Sequence, residues 1–204
     1  MKTPVLVFDF GNVLGMFSHY KAASQISFFT SHQLETIRNT LFESATEDLL
    51  EKGHLSPEEF RGSMREKLAL DCSDAQFDEA FSDMFSPNHH VCALIPSLAK
   101  NHRLLLLSNT NWFHARKFKD QFSETLRHFE HLILSHEVGC RKPNTLIYET
   151  LNQRTNTLPG DCIFIDDLLS NIQAAESCGW KGILYGPNIS LEENLLNHKV
   201  ILEA

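Results

Sequence analysis

VLVFDFGNVLG, residues Val5–Gly15, is an apolar run that reaches a single aspartate, Asp9, and then breaks into glycine and asparagine. Apolar residues at successive positions, rather than at every second one, predict a strand that is covered on both faces, as in a parallel sheet. Ligands of such sheets bind beyond the carboxyl ends of the strands. We therefore predict that Asp9 lies at the end of a central strand, in an active site.

Four more short apolar runs follow along the chain, and we predict that each is a strand. Helical patterns lie between the later runs. This alternation is typical of an α/β fold with a central parallel sheet, Rossmann-like in its layering. The predicted strands are Arg103–Ser108, His131–Ser135, Asp161–Asp166 and Lys181–Tyr185, and the helices between them are Asn111–Gln121, Asn144–Arg154 and Ser170–Cys178.

The long segment between the first and second runs has no strand-like run and reads as helical. Ser56-Pro57 opens one of its helices, because serine is a good N-cap and proline suits the first helical position. We predict a helical cap over residues 15–90, inserted into a core made of residues 1–14 and 91–204. The predicted cap helices are Tyr20–Thr30, His32–Glu51, Pro57–Leu70 and Asp74–Phe85.

Composition narrows the class of protein. The 204 residues carry a net charge of −8 and no basic block, which argues against nucleic acid or an anionic membrane as the main partner. The five cysteines include no C-x-x-C pair, which favours reduced thiols. The first apolar run is too short for a signal peptide, and no run approaches the ~20 residues of a membrane span. We expect a soluble, cytoplasmic protein, and a monomer by default.

Polar side chains stand at the ends of three predicted strands, and a lysine lies in the loop after another strand. Asp9, Ser108 and the acid pair Asp166-Asp167 stand at strand ends, and Lys142 lies in the loop after the third strand. Carboxylate oxygens of Asp9 and Asp167 are ligands that Mg²⁺ prefers. Hydroxyl, ammonium and backbone N–H groups bind phosphoryl oxygens. The set predicts a site for phosphoryl transfer with an aspartate as nucleophile.

Four motifs in this order resemble those of the haloacid dehalogenase (HAD) superfamily: FDFGNVL, LLLLSNTN, RKP and IFIDDLLSN. Within it, the chain is most similar to the branch of bacterial α-D-glucose-1-phosphate phosphatases and the N-terminal phosphatase domain of epoxide hydrolases. The resemblance implies a Rossmann-like core with strand order 3-2-1-4-5. It also implies a small cap of the C1 type after strand 1.

The resemblance implies a role for each motif residue in phosphoryl transfer. Asp9 would attack phosphorus and form an aspartyl phosphate. Ser108 and Asn109 would bind the phosphoryl oxygens, and Lys142 would neutralise charge on the nucleophile and the phosphate.

The resemblance also implies a Mg²⁺ site. Asp9, Asp167 and the backbone carbonyl of Gly11 would ligate the ion, and Asp166 and Asn171 would support them.

Gly11 departs from the family pattern, which has a second aspartate at this position. The carbonyl ligand survives, but the side chain that protonates the leaving group and activates water is missing. General acid–base catalysis is commonly worth ~10²–10⁴-fold. Asn12 can orient a water but cannot take its proton, whereas His19 and His114 are candidates for the acid and base.

We predict a Mg²⁺-dependent phosphatase of a small phosphorylated metabolite, and we favour a sugar phosphate as substrate. Three alternatives stay open. A metal-independent 2-haloacid dehalogenase would lack the second aspartate as well, but it would not need Asp166-Asp167. A phosphomutase needs the missing acid more than a phosphatase does. A catalytically weak binding or regulatory protein would have lost a nucleophile or metal ligand, and Asp9, Lys142 and Asp167 are all present.

Overall fold

The computed structural model of the chain describes residues 3–186 and 189–202. Within these ranges, no helix combines the length and apolar composition needed to span a membrane. The strands are β1 (Val5–Phe8), β2 (Gly15–Phe17), β3 (Phe85–Pro87), β4 (Leu104–Ser108), β5 (His131–Leu134), β6 (Cys162–Asp166) and β7 (Lys181–Leu184). The helices are α1 (His19–Ile26), α2 (Leu34–Phe42), α3 (Ala45–Glu51), α4 (Pro57–Leu68), α5 (Asp74–Ser82), α6 (His89–Asn101), α7 (Trp112–Gln121), α8 (Ser123–Leu126), α9 (Ser135–Val138), α10 (Thr145–Thr155), α11 (Leu169–Ser177) and α12 (Leu191–Asn197).

A five-stranded parallel sheet forms the centre of the molecule, in the order β5-β4-β1-β6-β7. Counted along the chain among these five strands, the order is 3-2-1-4-5. The prediction of an α/β, Rossmann-like core with this order is confirmed, and all five predicted strands are present. The order reverses on either side of β1, so the carboxyl ends of β4, β1 and β6 surround one crevice.

The strand β1 is buried on both faces, which explains its unbroken apolar sequence. Leu6 and Phe8 pack into one hydrophobic cluster, and Val5 and Val7 pack into a second cluster on the opposite face of the sheet. Alternate residues of a strand point to opposite faces, so a strand between two layers of helices needs apolar residues at every position. This constraint places Asp9, the first polar residue, directly after the end of the strand.

The segment between β1 and β4 contains two strands that the sequence did not indicate, so the prediction of no strand there was wrong. Gly15 of β2 pairs with Pro87 of β3, and Phe17 pairs with Phe85, in a small antiparallel sheet. Each strand has three residues, which is too short for an apolar period to show. The paired strands lie at the two ends of the predicted cap. The division into core and cap at 15–90 stays a prediction.

The predicted helix His32–Glu51 is two helices, α2 and α3. The break lies at Ser44, whose side chain accepts a hydrogen bond from the backbone N–H of Glu47 and so starts α3. The predicted helix Tyr20–Thr30 is also shorter, because α1 ends at Ile26 and continues as a 3-10 turn. A side chain that caps a new helix favours interruption over continuation.

Of two further helices, the start of one was predicted from the sequence and the other was not predicted at all. The predicted start at Ser56-Pro57 is confirmed, because Ser56 and Glu59 form a reciprocal capping box at the start of α4. The helix α6 was not predicted, and it contains Pro96. Proline inside a helix removes a hydrogen bond, so this segment does not read as helical.

Phenylalanine rings join the helices of the inserted segment to α7. Phe60, Phe77, Phe81 and Phe113 are buried, and their ring centroids lie 5.2–6.1 Å apart in the contacting pairs. Such aromatic pairs add about 0.5–1.5 kcal/mol each beyond the area that they bury. The rings therefore hold the inserted helices against the helix that follows β4.

Two glycines give a matched test of how the inserted segment packs on the core. Gly53 follows α3 at φ +65°, and a Cβ there would lie 2.1 Å from the carbonyl oxygen of His136. We expect Gly53→Ala to lower the free energy of unfolding by about 2 kcal/mol or more, through left-handed strain and the clash. Urea unfolding midpoints measure the change.

Gly62→Ala is the control, because Gly62 lies in the middle of α4 with open space around its Cα. This substitution should raise the free energy of unfolding by about 0.5–1 kcal/mol, as alanine replaces glycine in a helix. Equal midpoints for the two variants would contradict the packing of Gly53 on His136.

Candidate active site

The ammonium group of Lys142 is buried at the carboxyl end of β1, and it ties the site together. Its Nζ lies 2.7 Å from Oδ1 of Asp9, 2.7 Å from Oδ2 of Asp166 and 3.0 Å from the carbonyl oxygen of Leu107. An ammonium has three donors, and here each has an acceptor. The loop residue predicted from the RKP motif therefore meets two strand-end acids, as expected.

Asn109 positions the backbone of Lys142. Its side-chain Nδ2 donates to the carbonyl oxygen of Lys142 at 3.0 Å, and its Oδ1 accepts from the N–H of Lys142 at 2.8 Å. We predicted Asn109 as a ligand of phosphoryl oxygens. Its side chain joins the loop after β4 to the loop that carries Lys142, and its role in phosphate binding stays a prediction.

Asp166 is fully buried and fully hydrogen-bonded. Besides Lys142, it accepts from the backbone N–H of Leu168 at 2.8 Å and from Nδ2 of Asn171 at 3.0 and 3.1 Å. Buried carboxylates are stable only when their charge and lone pairs are satisfied. Asp166 and Asn171 were predicted as supporting residues, and the structure places Asn171 against Asp166 and Asp166 against Lys142.

Asp9 is nearly buried, and its carboxylate is held in one orientation. Oδ1 accepts from Lys142 and, at 2.7 Å, from the backbone N–H of Phe10. Burial raises the pKa of Asp9 to about 7, because Lys142 offsets only part of the desolvation and Asp166 and Asp167 add negative charge nearby. A cation beside Asp9 would favour its charged form.

Asp167 is the most exposed of the three acids at this site. Its side chain is half-buried, and Nδ2 of Asn12 donates to Oδ2 at 3.0 Å. Burial raises the pKa of Asp167, although the bond from Asn12 opposes the shift. One carboxylate oxygen each from Asp9, Asp166 and Asp167 lie within 4.8 Å of one another. Hard oxygen donors at this spacing fit a divalent cation such as Mg²⁺.

Gly11 faces an aromatic ring where the family pattern has an acid. A Cβ on Gly11 would lie 3.0 Å from Cε1 of Phe17. The ring of Phe17 therefore occupies the direction in which a side chain at this position would begin. The residue next to it, Asn12, was predicted to orient a water, and in the structure its amide positions Asp167.

The two histidines that we considered as acid or base have different surroundings. His114 is buried, with Nδ1 2.9 Å from Nδ2 of Asn111 and Nε2 3.3 Å from the carbonyl oxygen of Phe81. Burial lowers its pKa to about 3. A ring that is neutral and bonded at both nitrogens does not suit proton transfer near neutral pH. His19 is half-buried and stacks on Phe42 with ring centroids 4.1 Å apart.

A small cavity of about 70 Å³ opens beside Gly11 and the buried hydroxyl of Ser108. Its wall includes Glu47 and Glu51 of α3, which sequence reasoning missed. Two acids four residues apart on a helix are the usual pattern of a solvated face, so no signal in the sequence marked them.

Ser135 was also missed as a site residue. It is buried at the end of β5, and its hydroxyl accepts from the N–H of Thr110 at 2.9 Å. The same oxygen lies 2.6 Å from the carbonyl oxygen of Glu51. Its position after a strand is the signal that identified Ser108, and it could have been found in the same way.

The fold brings a strand-end aspartate, a buried lysine and an acid pair together at the carboxyl edge of the sheet. A family model described as "haloacid dehalogenase-like hydrolase" matches residues 4–179. The chain belongs to this family. The resemblance that we drew from the four motifs is thereby confirmed.

Three comparisons describe the relatives. The chain is 25% identical to a D-ribitol-5-phosphate phosphatase of Bacteroides thetaiotaomicron, over 86% of this chain and 88% of the relative. A predicted HAD-like family hydrolase of Porphyromonas gingivalis shares the fold with a TM-score of 0.83, at 23% identity, over 97% of this chain and 98% of that one. A HAD family enzyme of B. thetaiotaomicron, in complex with magnesium and inorganic phosphate, has a TM-score of 0.80 at 24% identity, over 95% and 99% of the two chains.

Replacement of Lys142 tests the charge balance of the site. Lys142→Met leaves Asp9 and Asp166 buried without their shared cation, and we expect a loss of about 3–5 kcal/mol in the free energy of unfolding. Lys142→Met combined with Asp166→Asn removes one of the two unpaired charges and should recover part of that loss. Urea unfolding of the metal-free protein measures all variants.

Lys119→Met is the matched control, because Lys119 makes an exposed ion pair with Glu137. Exposed pairs contribute about 0–1 kcal/mol. A Lys142→Met variant that unfolds at the same urea concentration as Lys119→Met would show that the buried ammonium does not balance the two acids.

Proposed function

We propose that this chain is a Mg²⁺-dependent phosphatase that hydrolyses a small sugar or sugar-alcohol phosphate through a phosphorylated Asp9. The observation that supports this most strongly is the acid group Asp9, Asp166 and Asp167, whose carboxylate oxygens approach within 4.8 Å around one buried lysine. The relative that acts on D-ribitol 5-phosphate and the related enzyme that holds magnesium and phosphate support the same assignment.

In the proposed reaction, a carboxylate oxygen of Asp9 attacks phosphorus and the ester oxygen leaves. Lys142 and the Phe10 amide hold the carboxylate, and Lys142 offsets the negative charge that accumulates on Asp9 and the phosphoryl group. The hydroxyl of Ser108 binds a phosphoryl oxygen at the floor of the cavity. Water then attacks phosphorus, which releases phosphate and regenerates Asp9.

The metal would be held by Asp9, Asp167 and the carbonyl of Gly11, with Asp166 behind them. Mg²⁺ bound there supplies positive charge to the phosphoryl oxygens and lowers the pKa of Asp9, which burial raises to about 7. The charged form of Asp9 is the nucleophile, and Mg²⁺ and Lys142 both favour that form by lowering the pKa of Asp9.

The small cavity supports a small substrate. Its volume of about 70 Å³ is well below the roughly 300–1,000 Å³ of pockets for drug-sized ligands. Glu47 and Glu51 provide polar groups that suit the hydroxyls of a sugar or polyol. A cytoplasmic location, a monomeric state and a partner set without nucleic acid or membrane stay predictions.

Phosphate release from a panel of sugar and polyol phosphates tests the proposal. We expect release with Mg²⁺, and its loss after removal of metal with EDTA. Asp9→Asn should lower the rate by roughly 10³-fold or more, as expected for loss of a nucleophile. Asp120→Asn is the control, because Asp120 is an exposed acid on α7.

Four results would contradict the proposal. The first is phosphate release that EDTA does not reduce, and the second is turnover that survives Asp9→Asn. The third is halide release from a 2-haloacid without metal, which would identify a dehalogenase. The fourth is binding of Mg²⁺ without turnover of any ester, which would favour a regulatory protein.

A further inference from the structure

The cavity beside Gly11 brings two carboxyl groups to the site from a different part of the chain. Glu47 and Glu51 lie one turn apart on α3, and both line the cavity together with Gly11 and Ser108. A substrate with its phosphoryl group at Ser108 would extend its ester oxygen and leaving group into this space. Two carboxyl groups on α3 therefore line the same cavity as Gly11, the position at which the family pattern has an acid.

Three contacts fix α3 over the site. The guanidinium of Arg141 lies 2.9 Å from Oε2 of Glu51, and the hydroxyl of Ser135 lies 2.6 Å from the carbonyl oxygen of Glu51. Gly53, just after the helix, packs directly on the backbone of His136. Side chains on an element held in this way keep a defined position, as a proton-transferring group requires.

The two glutamates differ in their partners. Glu51 is buried, and its charge is paired with Arg141. Glu47 is half-buried and hydrogen-bonds to Glu51. Burial and the neighbouring charge of Glu51 raise the pKa of Glu47 to about 8, although Arg141 opposes the shift. Burial raises the pKa of Glu51 as well, so the two carboxyl groups share a proton as a pair. Glu51 is the member that contacts Arg141, and Glu47 is the more exposed of the two.

The other titratable groups on the cavity wall are the imidazoles of His19 and His114. His114 is bonded at both ring nitrogens and stays neutral. Burial and the positive charge of Arg38 lower the pKa of His19, so it too favours the neutral form. Burial disfavours the protonated form of both imidazoles, whereas it favours the protonated form of a carboxyl group such as that of Glu47.

We propose that Glu47 is the general acid and base of this enzyme, and that it performs from α3 the task that an aspartate at position 11 performs in related enzymes. The inference rests on the proposed phosphatase function. It assigns a catalytic role to the inserted helical segment, which otherwise would only cover the site.

The proton balance follows directly. As Asp9 bonds to phosphorus and the ester P–O bond breaks, the carboxylic acid of Glu47 protonates the leaving oxygen, which departs as an alcohol. The resulting Glu47 carboxylate takes a proton from the water that attacks phosphorus. The P–O bond to Asp9 then breaks, inorganic phosphate leaves, and Glu47 is again protonated.

Esters with different leaving groups test the assignment in the Mg²⁺-loaded enzyme. p-Nitrophenolate leaves without a proton, whereas the alkoxide of glycerol 2-phosphate needs one. With p-nitrophenyl phosphate, Glu47→Gln should release p-nitrophenol in a rapid burst stoichiometric with enzyme, followed by turnover slowed roughly 10²-fold. With glycerol 2-phosphate the same variant should be slow without a burst, and kcat should fall while KM changes little.

Glu66→Gln is the matched control, because it makes the same change at an exposed acid on α4, outside the cavity, and it should leave both esters unaffected. Gly11→Asp in the Glu47→Gln background should restore part of the lost kcat. Glu47→Gln that lowers activity only through KM, that loses kcat on both esters without a burst, or that loses nothing, would overturn the assignment. A wild-type enzyme that hydrolyses neither ester would instead overturn the phosphatase function on which it rests.

Discussion

A single buried ammonium group balances the charges on which this site depends. Lys142 donates to Asp9, Asp166 and the carbonyl oxygen of Leu107, so the ends of β1, β4 and β6 meet at one positive charge. Buried charges cost several kcal/mol each unless they are paired and hydrogen-bonded. The bonds that Asn109 makes to the backbone of Lys142 and those that Asn171 makes to Asp166 are what allow these groups to be buried together.

The loop that carries Lys142 also holds the inserted segment in place. Lys142 points inward to the acids of the core, while its neighbour Arg141 reaches Glu51 and, at 3.5 Å, Asp48 on α3. Ser135, at the start of the same loop region, contacts both Thr110 and Glu51. Two adjacent residues, Arg141 and Lys142, therefore contact α3 and Asp9 respectively, so one loop links the inserted segment to the acids of the core.

Much of the core was predictable from sequence because its physical constraints are local. A strand such as β1, buried on both faces, must be apolar throughout, and the first polar residue marks where the strand ends. This rule placed Asp9, Ser108 and Asp166 correctly. Lys142 was found from its motif, and its three contacts agree with the role that the motif implied.

The errors have physical reasons as well. The strands β2 and β3 are too short to show a period, and the capping serine at position 44 divides a segment that is helical on both sides. The bonds between the Asn109 side chain and the backbone of Lys142 could not be predicted, because a side chain after a strand does not reveal its partner. Glu47 was missed because its neighbours across the cavity lie far away in sequence, and only the folded chain brings it to Gly11.

Chemical trapping of the intermediate tests the central claim, that Asp9 carries the phosphoryl group. Borohydride converts an aspartyl phosphate to homoserine, so a reaction quenched during turnover and digested reports which residue was phosphorylated. We predict homoserine at position 9, seen only when Mg²⁺ and a hydrolysable phosphate ester are both present. Phosphate release without any modification at position 9, or homoserine at another aspartate, would contradict the account.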